Sequence, residues 1–224
     1  WIDAAGLAVA SRLDAAIGRS SIVSNNLAST NSFLQTQSGV MDTAAEILDR
    51  MGQLKSMSEG VFGDATGAYQ TEYAELSDQL SDLGTETFNG VHLFSDPGGS
   101  LAVMGNESGS ISFNVTQGNL SDALSDVTAQ ANLSDVSMDD IEAATQNISN
   151  MKSVNGAGQS RIEASFDLMK ASYSNYSSAY SVIMDLDWAR ATTDFALSNI
   201  RSEAGFSIFS QALTTGTMVG ALLR

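Results

Sequence analysis

Leu27, Leu34, Met41 and Leu48 recur every seven residues, and Val40, Ala44, Ile47, Met51, Leu54 and Val61 fall between and beyond them at steps of three, four and seven. That spacing lines apolar side chains along one stripe of a helix, the seam of a coiled coil. A turn from Gly60 to Gly67 interrupts it, after which Tyr69, Tyr73, Leu76, Leu80 and Leu83 resume the alternation of four and three. The two stripes predict an antiparallel helix pair. Near the other end, Ile162, Phe166, Met169, Tyr173, Tyr176, Tyr180 and Ile183 alternate steps of four and three without a break, and Ile141, Ala144, Ile148 and Met151 precede them in a compatible phase. One helix from about Asp139 to Asp185 would be ~70 Å long at ~1.5 Å per residue. Asn155, Gly156 and Gly158 weaken its centre, and Asp187 reads as the cap of a separate helix beginning at Trp188.

Between the helical halves the period changes. Ser100 to Met104 and Ile111 to Val115 are short apolar-rich runs joined by Gly105, Asn106, Glu107, Ser108, Gly109 and Ser110, the pattern of a β-hairpin on a longer turn. Gln117 to Asp140 is rich in Asn, Ser and Asp, with room for a short helix around Leu120 to Val127. The single proline, Pro97, splits the chain into two proline-free halves. The expected fold class is mainly α: a long antiparallel coiled-coil or helical-bundle rod with a small β-hairpin region in the middle. Its expected segments are two rod helices in 1–90, a short acidic hairpin and loop region facing solvent in 91–138, a long rod helix in 139–186, and an amphipathic helix in 187–224.

The formal net charge of −16 is unevenly placed. No Lys or Arg occurs from Ser56 to Met151, a stretch holding 15 of the 26 acids, whereas the flanks are nearly neutral. Such a chain lacks the clustered cations that grip nucleic-acid phosphates or anionic lipid. The ends read as buried or assembling and the middle as solvated. Ala204 to Leu223 carries no charge in 20 residues but includes three glycines and six of Ser, Thr or Gln, so it reads as an amphipathic helix seeking a partner helix, not as a membrane span. No membrane insertion is expected. The first residues show neither a basic start nor an unbroken apolar core, so no signal peptide is expected.

Catalytic readings find little support. There is no cysteine and one histidine, His92, which follows Asn89, Gly90 and Val91 in an extended segment and reads as a packing or surface residue. Asp139, Asp140 and Glu142 lack a calcium-loop pattern and read as helix N-terminal charge. Gly156 and Gly158 lack the third glycine and the preceding strand of a dinucleotide loop, and Asp185 with Asp187 is read as a helix boundary. No enzyme activity, cofactor or metal is expected.

Several short strings, in one order along the chain, carry a resemblance. Asp3-Ala4-Ala5-Gly6-Leu7-Ala8, Leu34-Gln35-Thr36, Phe88-Asn89-Gly90, Asp185-Leu186-Asp187-Trp188-Ala189, Ser202-Glu203-Ala204-Gly205 and the closing Leu222-Leu223-Arg224 together resemble bacterial flagellin over nearly the whole chain. The resemblance implies a structural polymer, a subunit that self-assembles into the extracellular flagellar filament for motility. Its rod-packing seam would be Leu27, Leu34, Met41, Leu48, Tyr69, Tyr73, Leu76, Ile162, Phe166, Tyr173, Tyr176, Tyr180 and Ile183, and its inner-core assembly residues Phe195, Phe206, Phe209, Leu213 and Leu222. Implied partners are other copies of the chain, an export chaperone and hook-associated and cap proteins, with export through the flagellar channel.

Family members usually carry about forty further residues before the Asp3–Ala8 box, including a helix that pairs with the carboxyl tail, so the chain is expected to lack that helix. Vertebrate Toll-like receptors grip the family's rod around a stretch that here reads Asp49 to Met57. Arg50, Leu54 and a nearby Glu72 match the implied contact, while Gly52, Gln53 and Lys55 do not, so weakened recognition is expected. Two other readings compete: a hook-filament junction protein of the same superfamily, and a secreted membrane-inserting protein of a type III system.

Overall fold

The structure, a computed structural model, describes residues 4–61, 63–64 and 67–222. Helix α1 spans Ala4–Ser58 and α2 Ala68–Leu83; two short strands, β1 (Thr87–Phe88) and β2 (Val91–His92), and two longer ones, β3 (Gly99–Met104) and β4 (Ser112–Gln117), follow. Two single-turn helices, α3 (Leu120–Ala123) and α4 (Ser125–Thr128), and a 3-10 turn at Leu133–Asp135 lead into α5, Met138–Leu222. The chain divides into two compact units, residues 19–172 and, separately, residues 1–18 with 173–224.

Within the 19–172 unit, α1 and α5 run antiparallel. Lys152 pairs with Asp42. A Cβ added at Gly52 would touch Ile141 at 3.8 Å, and one at Gly158 would touch Leu34 at 3.6 Å. Leu27, Leu34, Met41, Leu48, Met51 and Leu54 on α1 form one continuous core with Tyr73 and Leu80 on α2 and with Ile141, Ala144, Ile148, Ile162 and Met169 on α5, all buried. The sevenfold period thus marks the core face. Val61 leaves that pattern. It is 98% exposed, because α1 ends at Ser58 and the glycine-rich turn has already turned the chain away. Asp64 then starts α2, its carboxylate accepting from the N–H groups of Tyr69 (3.2 Å) and Gln70 (2.8 Å), two donors the helix itself cannot satisfy.

Both hairpins lie against this bundle. Asn89 (φ 51°) and Gly90 (φ 79°) make the two-residue loop joining β1 to β2, where both loop residues need a left-handed backbone. Strands β3 and β4 pair antiparallel from Gly99–Gln117 to Met104–Ser112, two residues longer than the apolar runs alone indicate at the Gln117 end. Val115 and Gln117 point inward, and Phe113 lies under the guanidinium of Arg161, 4.9 Å from its ring centre. The short helix expected near Leu120 to Val127 is two turns separated at Leu124; Asn119 caps the first by accepting from the Asp122 N–H at 3.0 Å.

Tyr73 ties α2 to α4. Its hydroxyl donates to the Val127 carbonyl at 2.7 Å from a fully buried position. Burial pushes the phenol up to about 12, with the negative charges of Asp135 and Asp140 adding to the rise. An unfolded tyrosine titrates near ~10, so this contribution is complete below ~pH 10 and is lost as pH rises through the folded value. The urea midpoint of the wild-type protein should therefore fall between about pH 10 and 12 more steeply than that of Tyr73→Phe, and parallel curves would contradict it.

Helix α5 is unbroken at Asp187, where an interruption is expected, and continuous through its weakened centre, as expected. At Asp187 neither proline nor glycine stops the helix, so Asp187 caps nothing and the segments expected on either side of it are parts of one element as far as Leu222. At Asn155, Gly156 and Gly158 the cost of two glycines is offset by packing: the side-chain N–H of Asn155 donates to the Leu34 carbonyl (3.1 Å) and to Gln37 Oε1 (2.6 Å). Gln159 donates in turn to Asn155 Oδ1 at 2.6 Å, and Gln37 to the carbonyls of Leu93 (2.8 Å) and Thr116 (3.2 Å). This buried amide chain joins α1, α5 and both hairpins.

Candidate functional site

In the unit formed by residues 1–18 and 173–224, the apolar seam is thin. Ala10 on α1 is buried, Leu13 and Ile17 are half-buried, and Tyr176, Tyr180 and Ile183 on α5 are half-buried, while Tyr173 is 43% exposed. Beyond them every α5 side chain in 188–221 is exposed. Trp188 (73%), Phe195 (69%) and Phe206 (73%) stand in solvent with Ile200, Ile208, Phe209, Leu213, Met218 and Val219. The side chain of Leu222 lies outside the described residues.

This face is ordered by helical geometry. Trp188, Phe195, Phe206 and Leu213 are 7, 11 and 7 residues apart; at ~100° per residue these spacings return each side chain to within about 20° of the last, and Phe209 flanks the line. The charges here, Asp187, Arg190, Asp194, Arg201 and Glu203, nearly cancel, and none occurs from Ala204 to Leu223. The threonine hydroxyls are turned inward: Thr192 and Thr193 donate to Ala189 O (2.9 and 2.8 Å), Thr214 to Ser210 O, Thr215 to Gln211 O and Thr217 to Thr214 O (2.8 Å each). Covering such a stripe contributes roughly 1.5–3 kcal/mol per large apolar side chain, the driving term for a second helix to pack there. Among the described residues no helix is long and apolar enough to cross a membrane.

The other expected positions divide clearly. Leu27, Leu34, Met41, Leu48, Tyr73 and Ile162 are buried, and Tyr69, Leu76 and Phe166 pack half-buried against that core. Of the three residues implied in receptor contact, Leu54 is fully buried in the core and offers no surface. Arg50 and Glu72 are partly exposed and grip each other, Nε to Oε1 at 2.6 Å and Nη2 to Oε2 at 3.0 Å. Their shared hydrogen bonds hold the Glu72 carboxyl below, and the Arg50 guanidinium above, the usual range. Asp140 and Ser137 make reciprocal bonds at the start of α5, carboxylate to the Ser137 N–H (2.8 Å) and Asp140 N–H to Ser137 Oγ (3.1 Å), a capping arrangement that holds the Asp140 carboxyl below the carboxylate range. His92 is exposed on β2, and among the described residues no group of three or more His, Asp or Glu side chains converges as metal ligands.

The sequence pattern does not announce the Gln37–Asn155–Gln159 chain, though a signal is present: Gln37 lies between Leu34 and Met41, and Asn155 midway between Ile148 and Ile162, each a polar residue in an apolar stripe.

A bundle whose polar groups are spent on internal register, continued by a helix whose aromatic stripe faces solvent, defines a helical structural subunit. The bacterial flagellin N-terminal helical region matches residues 2–98 and the bacterial flagellin C-terminal helical region residues 138–223. The chain belongs to the bacterial flagellin family. It is 29% identical to a flagellin of Halalkalibacterium halodurans, over 99% of this chain and 85% of that one. It is 27% identical to a flagellar filament core protein of Brachyspira hyodysenteriae, over 95% and 82%. Its fold is similar to the crystal structure of Bacillus cereus flagellin, with a TM-score of 0.55 at 18% identity over 64% of this chain and 88% of that chain.

Proposed function

We infer that this chain is a structural subunit of the extracellular bacterial flagellar filament, and that its mechanism is packing, with no catalytic residue. The observation that carries the contact assignment is the stripe of Trp188, Phe195, Phe206, Phe209 and Leu213, large side chains held in water by an otherwise regular helix. Copies bury these stripes against one another's helices. An open polymer follows when the two contacting surfaces differ, because a heterologous contact repeated by a screw operation does not close. The buried residues of 19–172 keep each subunit rigid enough to repeat. The family also supports an export chaperone and hook-associated and cap proteins as partners. Recognition by a Toll-like receptor rests here on Arg50 and Glu72 alone, and their ion pair lowers what either offers a partner.

Full-length protein carrying Phe195→Asp and Phe206→Asp tests the contact. Both side chains are exposed, so helix content and melting temperature should stay near wild type, while filaments seen by electron microscopy and pelleted by sedimentation should be lost. Each buried unpaired carboxylate in such a contact costs several kcal/mol. Filaments of the double variant at the wild-type critical concentration would remove the stripe from the assembly contact.

A further inference from the structure

The chain holds two Asn-Gly pairs, Asn89-Gly90 and Asn155-Gly156. Such a pair is chemically labile, because glycine has no side chain to shield its nitrogen from the amide carbon of the preceding asparagine. The fold treats the two differently. Asn155 is 6% exposed within α5; its side-chain N–H groups donate to the Leu34 carbonyl and Gln37 Oε1, and its Oδ1 accepts from Gln159. The Gly156 N–H belongs to the ladder of the same unbroken helix. Asn89 and Gly90 instead form the exposed loop between β1 and β2, both in the left-handed region. Among the described residues neither the Asn89 side chain nor the Gly90 N–H makes a hydrogen bond.

Attack of the glycine nitrogen on the asparagine side chain requires the Asn89 backbone to swing out of the turn, so the hairpin must open first. β1 and β2 are two residues each and pair only at Thr87–His92 and Phe88–Val91, short enough to open without the bundle. Freeing Asn155 instead requires opening the packed α1–α5 core.

We propose that Asn89-Gly90 is a site of spontaneous deamidation gated by opening of the β1–β2 hairpin, and that its isoaspartyl product prevents the hairpin from closing again. The Gly90 nitrogen gives up its proton and bonds to Asn89 Cγ, while the side-chain amide nitrogen leaves as ammonia, forming a succinimide ring. Water then adds to either ring carbonyl. Cleavage of the bond from Cγ to the ring nitrogen leaves aspartate. Cleavage at the main-chain carbonyl of residue 89 leaves isoaspartate, with the chain running on through Cβ and Cγ. Water is consumed and ammonia released, with no change of oxidation state. Isoaspartate adds a backbone atom to a loop whose two-residue length sets the register of both strand pairs. Those pairs can no longer meet, and Phe88 loses the frame that sets its ring edge-on to Phe33, 6.2 Å between centres.

The test ages full-length protein at mildly alkaline pH and follows each asparagine by peptide mapping with mass spectrometry, counting isoaspartate with an isoaspartyl methyltransferase. In the native protein Asn89 should convert at least about tenfold faster than Asn155, and in concentrated urea the two rates should converge to within a few-fold. Equal native rates, or a native ratio that persists in urea, would overturn the gating, and an Asn89 that does not convert would remove the site. Asn89→Gly keeps the left-handed backbone and lacks the amide, so its loop peptide should carry no isoaspartate on ageing. Hydrogen exchange reads the second half of the proposal at the Leu93 N–H, which donates to the Glu86 carbonyl at 2.9 Å across the base of the hairpin. Protein aged until most of Asn89 has become isoaspartate should lose protection there, while equally aged Asn89→Gly keeps it. Aged wild type as well protected as fresh protein would show that the hairpin closes around isoaspartate and would overturn that half.

Discussion

Leu48→Ala should lower the stability of the 19–172 unit by about 2–5 kcal/mol, the range for emptying a fully buried leucine site, and urea unfolding followed by circular dichroism should show it as a lower midpoint. Leu48 is completely shielded in the α1 seam and belongs to the same core as Met51, Leu54 and Ile141. Tyr173 makes the contrast. It continues the four-three alternation of α5 yet is 43% exposed, so Tyr173→Ala should change monomer stability by less than about 1 kcal/mol. If the two substitutions cost the same, the periodic stripe would be one uniform core, and the exposure difference would carry no energetic meaning.

Asn155→Ala should cost about 2–4 kcal/mol, more than the loss of one net hydrogen bond, because it strands partners away from water. The Leu34 carbonyl, Gln37 Oε1 and the Gln159 amide each lose a bond to Asn155. Gln37 has its own ties to Leu93 and Thr116, so the damage reaches the hairpins. A double-mutant cycle with Gln37→Ala should give a coupling of about 1–3 kcal/mol, and a value near zero would mean that the amides act separately. Hydrogen exchange gives a second reading: amides of α5 around Gly156 and Gly158 should lose protection first, since the glycines leave that turn dependent on the side-chain bonds.

Much of the fold is legible in the sequence because one period governs it. The sevenfold recurrence from Leu27 to Leu48 marks the face that packs, and the glycines near Gly60 mark where the chain turns. The hairpin is legible because alternation replaces that period in Ile111 to Val115. What the pattern misplaces are positions where local signals compete with neighbours distant in sequence. Asp187 has the chemistry of a cap but sits inside a helix that nothing interrupts, and Val61 keeps the phase of α1 after the helix has ended. Leu54 matches a surface motif by its letter while its heptad position buries it. Phe206, Phe209 and Leu213 could be picked from the charge-free tail and Phe195 from the helix expected from Trp188, whereas Trp188 joins their line only once the seven- and eleven-residue steps are laid on one helix.

The threonines of the α5 tail alter what that surface demands of whatever covers it. Five hydroxyls, of Thr192, Thr193, Thr214, Thr215 and Thr217, are already bonded to carbonyls of their own helix, so each can leave water without abandoning a bond. For these five hydroxyls a covering helix need supply no matching donor or acceptor. Where such a seam meets only apolar groups and these threonines, a small slip between neighbours costs little, since methyl groups and rings re-nest where paired amides would have to break. Subunits joined along such a seam can sit in slightly different offsets around one tube at nearly equal free energy, which lets a stack of identical parts bend without coming apart.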